Sequence, residues 1–289
     1  MHPVLLEDSW IGVVNSYGTL ITLGGMAIGP GLIWDARRRG LPFVYVLDLY
    51  IVLILGCFLG GRFIYALVEP ARYLEDPSRL ISASEGFVFY GAVLGVFCGL
   101  AWLSYRYRKP LGEICDILTT WMAFSHAVGR LGCFLVGCCW GAIDTGPGPF
   151  AVQFPPGAVV YDSGLMPIVD GLTVPIHPAQ LYEIAGLLTL FCVLVWFRLT
   201  RGVEPGWTQS ARWAIGYGLL RLVTEVFRGD RVRGSLLHIE WPALTTRLGL
   251  PPEQPIALST SQAIGLAMVA LGVWYLRTRA RPPHRAALP

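Results

Sequence analysis

The chain has 289 residues, of which 54% are hydrophobic, 12% aromatic and only 14% charged, with a formal net charge of +3. Its mean hydropathy is +0.55. Soluble domains carry roughly 25% charged residues, so this composition disfavours a soluble globule, a disordered chain and a nucleic-acid binder, and it suits a surface that faces lipid.

Seven apolar segments follow one another, at 11–34, 43–68, 86–105, 114–137, 179–199, 211–227 and 258–276. A bilayer crossing takes about 20 mostly apolar residues in a helix. Lipid offers no partner to a free backbone N–H or C=O. The expected fold class is therefore an all-α membrane protein of seven transmembrane helices. The first segment has no basic leader and runs into a basic stop, so it reads as a span rather than a cleaved signal peptide.

The basic residues set direction. Arg37, Arg38 and Arg39 follow the first span, and Arg106, Arg108 and Lys109 follow the third. Arg198 and Arg201 follow the fifth, and Arg277, Arg279, Arg281 and Arg285 follow the seventh. Clusters after every second crossing place the N-terminus outside and the C-terminus in the cytoplasm. The expected organisation is one transmembrane domain over 1–278 with outer loops 138–178 and 228–257, then a basic cytoplasmic tail over 279–289. The loop 138–178 is rich in Gly and Pro and carries Trp140, Phe150, Phe154 and Tyr161; the second holds Arg228, Asp230, Arg231, Arg233 and His238. A loop this long is functional or has a small fold of its own, so the chemistry is expected at the outer face.

Ionisable side chains inside apolar spans mark function, because burying them costs several kcal/mol. Arg62 sits in the second span, within Gly60-Gly61-Arg62-Phe63. His126 and Arg130 lie four residues apart near the outer end of the fourth span, on one helical face. Tyr217, Arg221 and Glu225 recur at steps of four in the sixth span. A bland reading exists for each: an ion pair between helices for the trio, and a side chain snorkelling to the interface for Arg62. Against it, fixed guanidiniums in a water-poor cavity pair bidentately with phosphate, and the abundant phosphate in a bilayer is a lipid headgroup.

Four of the seven cysteines (Cys57, Cys98, Cys115 and Cys192) stand alone in spans, where a thiol acts as a small apolar group. Cys133, Cys138 and Cys139 cluster where the fourth span ends. A C-x4-C-C run is no standard zinc spacing, although His126 would supply a fourth ligand. Packing, a Cys133–Cys138 disulfide in an oxidising compartment and a thiol relay are the other readings, and packing or a disulfide stands ahead of metal.

The run Gly129-Arg130-Leu131-Gly132-Cys133 through Cys138-Cys139-Trp140-Gly141 resembles the signature of the prolipoprotein diacylglyceryl transferases. Other pieces fall in the family's order: Ser16-Tyr17-Gly18, Leu59-Gly60-Gly61-Arg62, Phe89-Tyr90-Gly91-Ala92, the box His177-Pro178-Ala179-Gln180-Leu181-Tyr182-Glu183, Tyr217-Gly218 with Arg221, Glu225 and Arg228, and Ser259 with Gln262. The resemblance runs from about residue 10 to 278.

It implies a multi-pass enzyme of the bacterial cytoplasmic (inner) membrane in lipoprotein biosynthesis. Such an enzyme moves the diacylglyceryl group of phosphatidylglycerol to the lipobox cysteine thiol of a pre-lipoprotein signal peptide, forming a thioether as glycerol phosphate leaves. The implied partners are phosphatidylglycerol, the pre-lipoprotein and the membrane, with no nucleic acid, no cofactor and no metal. Arg130 and Arg221 would clamp the phosphate as its charge grows, and Glu225 would orient Arg221. Tyr17 and Tyr217 would line the headgroup site, together with Arg62, Tyr90, Cys133 and Cys138. Gly141 would let backbone approach closely. The family pattern carries histidine at Tyr90, asparagine at Cys133 and Val136, and glutamate at Cys138. A thiolate is the nucleophile, and His126 is our substitute for the missing histidine as handler of the thiol proton. A divergent relative acting on another acceptor or lipid, and a non-catalytic phospholipid-binding membrane protein, are the rival readings.

Overall fold

The structure is a computed structural model and describes residues 4–9, 12–70, 73, 76, 78, 88–146, 150–229, 237, 239–254 and 258–279. The expectations for Arg231, Arg233, His238 and nearly all of the tail fall outside these residues. The described residues are mostly helical: α1 Ser16–Ala27, α2 Gly29–Arg38, α3 Phe43–Val68, α4 Phe89–Tyr107, α5 Leu111–Val136, the short α6 Val159–Asp162, α7 Ala179–Arg201, α8 Thr208–Thr224 continuing into a 3-10 turn at Glu225–Phe227, the short α9 Pro242–Arg247, and α10 Thr260–Thr278. Two small antiparallel hairpins accompany them, β1 Val4–Ser9 with β2 Gly12–Asn15 and β3 Ile168–Val169 with β4 Leu172–Thr173. Phe43–Val68 and Ala179–Arg201 are long and apolar enough to cross a membrane.

The first apolar segment differs from expectation. Its start, Gly12–Asn15, is a strand, and its helix breaks after Ala27. Pro30 explains the break: it has no N–H to donate back into α1, and its ring suits the first turn of a new helix.

Two compact units divide the chain: Met1–Ile28, Thr119–Glu204 and Thr208–Pro289 form one, Gly29–Leu118 and Pro205–Trp207 the other. In the second, α3 and α4 run antiparallel. Gly56 and Gly60 face Gly91 and Gly95 so closely that a Cβ at Gly60 or Gly95 would strike the backbone opposite, which is the small-residue contact of helices packed in lipid. At one end of the pair, Asp48 accepts from Arg106 Nε at 3.0 Å and from the Tyr107 hydroxyl at 2.7 Å. At the other, Val88 N–H donates to the Gly61 carbonyl at 3.2 Å.

The first unit holds α1, α5 from Thr119 onward, α7, α8 and α10, each antiparallel to the neighbour named here. Gly132 backs Tyr17 and Gly24 meets Val128, so α1 descends along α5. Thr120 of α5 accepts from Arg198 of α7 at 3.3 Å, and Gln209 of α8 donates to the Leu194 carbonyl. Gly272 of α10 abuts Ala211 of α8, and Gly265 abuts Gly218. In this unit Trp196, Leu271 and Trp274 are exposed, whereas the polar side chains Arg198, Gln209 and Thr120 are buried. That inversion suits lipid as the solvent.

Residues 137–178 make a small fold of their own. Trp140, Phe154, Ala158, Val160, Met166 and Ile176 form its core. Ile176 bridges both Ile143 and Val152, and the Thr173 hydroxyl accepts from Phe154 N–H at 2.9 Å.

Candidate active site

The C-terminal ends of α5 and α8 and the start of α7 converge on one carboxylate. Glu183, one turn into α7 and nearly fully buried, receives Arg130 from α5 and Arg221 from α8. Arg228, just past the 3-10 turn, stands 3.8 Å away. Arg221 also pairs with Glu225 at the i,i+4 step read from the sequence. Glu225 in turn accepts from the Ser259 hydroxyl at 3.1 Å. Ser259 is held by a capping box with Gln262 at the start of α10, and Gln262 Nε2 donates to the Leu222 carbonyl at 3.2 Å. Among the described residues this network sets three guanidiniums against two carboxylates, a surplus of one positive charge in a buried place.

The box at the head of α7 organises this end. His177 bonds the Tyr182 hydroxyl and the Gly249 carbonyl, both at 3.1 Å. Gln180 Nε2 donates to the Cys138 carbonyl at 2.7 Å. Glu183 holds the arginines. Gly141 lies where backbones close in: a Cβ there would meet the carbonyl oxygens of His177 and Phe227. Ala142 N–H donates to Phe227 O at 2.8 Å, and Gly229 N–H to Trp140 O at 3.1 Å. These bonds tie the small fold of residues 137–178 to the chain on either side of Arg228.

The three clustered cysteines meet as well. Their Sγ atoms all lie within 4.8 Å of one another, and all are free thiols. The disulfide reading therefore does not describe this structure. Cys133 and Cys139 are within electrostatic reach of Arg130, and Cys139 also of Arg228.

The remaining sequence candidates are placed as follows. His126 lies one turn before Arg130, its ring 5.6 Å from that of Tyr217, which stacks on Trp213 at 5.0 Å. Tyr17 packs over Gly132 and is 42% exposed. In the other unit, Arg62 is buried with its guanidinium 5.6 Å from the Phe58 ring centroid. Tyr90 is 67% exposed at the head of α4.

Glu183 and Arg228 are what the sequence reading undervalued. The rule applied to Arg221 also marks Glu183, a carboxylate one turn inside an apolar helix. Its pairing with three arginines from separate segments has no local signature.

The family model for prolipoprotein diacylglyceryl transferase matches residues 5–278. The chain is similar to the phosphatidylglycerol–prolipoprotein diacylglyceryl transferase of Cronobacter sakazakii, 36% identical over 87% of either chain. It is also similar to the protein of that name from Ruegeria pomeroyi, 34% identical over 94% of this chain and 90% of the other. The like-named protein of Clostridium tetani is 27% identical over 95% and 96%.

Proposed function

The chain belongs to the prolipoprotein diacylglyceryl transferase family, and from that membership we propose that it transfers the diacylglyceryl group of phosphatidylglycerol to the lipobox cysteine thiol of pre-lipoproteins. The observation that carries this reading is the buried network of Arg130, Arg221 and Arg228 about Glu183 and Glu225. Its surplus positive charge equals the single negative charge of a phosphodiester. Guanidinium forks grip such oxygens bidentately, and low-dielectric surroundings strengthen their hold on the charge that grows as glycerol phosphate departs.

In this mechanism Arg130 and Arg221 bind the phosphate, and Glu225 and Glu183 keep the forks aimed. Tyr17, Tyr217 and Gly141 shape the headgroup site with Cys133 and Cys138. The thiol sulfur attacks the diacylglyceryl methylene carbon, the C–O bond to phosphate breaks, and a thioether forms. His126 takes the thiol proton through water. It is seven residues from Cys133, about 10 Å along the same helical face at 1.5 Å per residue.

We further propose seven spans in one inner-membrane domain over 1–278, with the N-terminus outside, the C-terminus in the cytoplasm and the site at the outer leaflet. Supporting this, Arg198, Arg201 and Arg277 lie at the ends of α7 and α10 remote from Glu183 and Ser259. Cations belong on the cytoplasmic side.

The test is to express the chain in a bacterium depleted of its own transferase, and to incubate the purified protein in vesicles with labelled phosphatidylglycerol and a lipobox peptide. Mature lipoproteins and a labelled thioether are expected. Phospholipid binding with no product from any lipobox peptide would overturn the assignment.

A further inference from the structure

We propose that Cys133, Cys138 and Cys139 form a three-thiolate zinc site whose open fourth position takes the acceptor thiol, so that the thioether is made from a zinc-bound sulfur. This deepens the transferase reading and rests on it.

In the sequence, a C-x4-C-C run is no standard zinc spacing. The end of α5 removes that objection. Gly137 N–H and Cys138 N–H both donate to the Cys133 carbonyl at 3.0 Å. Gly137 turns left-handed at φ +76°, and Cys139 follows at φ +57°. The reversed chain brings both later thiols back beside the first, and Gln180 pins the turn through the Cys138 carbonyl. A non-glycine residue in the left-handed region persists where its surroundings over-determine it, and such positions gather at functional sites.

The dimensions suit a metal. With Zn–S bonds of about 2.3 Å in a tetrahedron, sulfur pairs stand about 3.8 Å apart. The observed sulfurs lie within 4.8 Å, so closure asks each pair to move by about 1 Å at most. Among the described residues the group has three members. Three protein ligands with a vacant fourth position make the catalytic arrangement of zinc, whereas structural sites use four. Cys133 is buried and the other two are half-buried.

Three thiolates on a divalent ion leave a net charge of −1, and Cys133 and Cys139 are within electrostatic reach of Arg130. Arg130, a phosphate ligand in the proposed mechanism, precedes Cys133 by three residues on α5. The donor's phosphate and the acceptor's sulfur would thus be seated one helical turn apart.

The step balances. The acceptor thiol loses its proton on binding zinc, because metal ligation requires the thiolate, and the proton leaves through water toward His126. A sulfur lone pair forms the bond to the diacylglyceryl methylene carbon. The C–O bond breaks with its electron pair on the oxygen of the departing glycerol phosphate. The neutral thioether is a weak ligand, so it leaves the zinc and water takes its place. No electron changes hands with an outside oxidant.

The experiment uses the full-length protein, purified in detergent without added chelator. About one zinc per chain is expected by elemental analysis, lost in Cys133→Ser and in the triple serine variant and kept in Cys192→Ser, which changes an exposed thiol on α7. Cobalt(II) loading should give a thiolate-to-metal absorption band. That band should shift on adding a lipobox peptide and stay still with the serine analogue of the peptide. Stripping zinc from the wild-type protein should lower transfer by about 100-fold or more, as losing the group that ionises a nucleophile does, with recovery on zinc addition. This arm stands even if the serine variants fail to fold. Wild-type protein without bound metal, a disulfide among these cysteines in the isolated protein, or full transfer by the triple serine variant would each overturn the zinc site, the last leaving the transferase reading intact. A cobalt band that answers to thiols while no transfer occurs would support the site and remove the transferase reading instead.

Discussion

The two ends of the helical bundle in the first unit use the same residue types to different effect. At the end remote from Glu183, Arg198 is buried and donates to Thr120. Nearby, Arg212 pairs with Glu204 and lies 4.0 Å from the Phe197 ring centroid. Each of these contacts joins neighbouring elements. At the other end, three arginines from α5, α8 and the segment after it meet one glutamate of α7, with three thiols and a glycine-backed loop alongside. The lesson is that a buried arginine alone says little. Convergence of several from separate segments, with charge left over, is what makes a place for a ligand.

The contrast can be broken by substitution, and the largest effect should come from the pair Arg130→Leu with Arg221→Leu. Each lost electrostatic donor is worth about 10²–10³-fold, so vesicle transfer should fall by at least that much. Arg198→Leu should leave the transfer rate of the folded protein near its starting value. Equal losses at both ends would erase the distinction.

Next is Glu183→Gln. Removing one partner of a buried ion pair costs about 3–5 kcal/mol, to be read as a marked drop in thermal unfolding temperature in detergent. Glu204→Gln, which breaks a half-buried pair at the other end, should lower it less.

A smaller difference separates two glycines. Gly141→Ala would push a methyl group against the His177 and Phe227 carbonyls, an overpacking cost of about 1–3 kcal/mol. Gly25→Ala meets nothing within 4 Å inside α1 and should be neutral or stabilising by about 0.5–1 kcal/mol. Chemical denaturation of the two variants compares them directly.

A single titratable side chain, His126, gives the last comparison. His126→Ala should lower transfer by about tenfold, below the usual range for direct general base catalysis because water relays the proton. An unaltered rate would withdraw His126 from the mechanism.

Much of this was legible along the chain. Long apolar runs must be helical in lipid, and basic clusters recur after alternate runs; both are local or periodic signals. The i,i+4 pairing of Arg221 with Glu225 followed from helical geometry alone. The break after Ala27 was also written locally, in Pro30, although an apolar run hides it. Tertiary structure alone decided the rest. That Glu183 serves three arginines, that Gln180 pins the turn of Cys138, and that Cys133, Cys138 and Cys139 bring their sulfurs together depend on which helix ends meet and on two left-handed residues. Sequence spacing reports neighbours along one helix. A buried charge chooses its partner in space, where the cost of leaving it unpaired, and not its position in the chain, selects the contact.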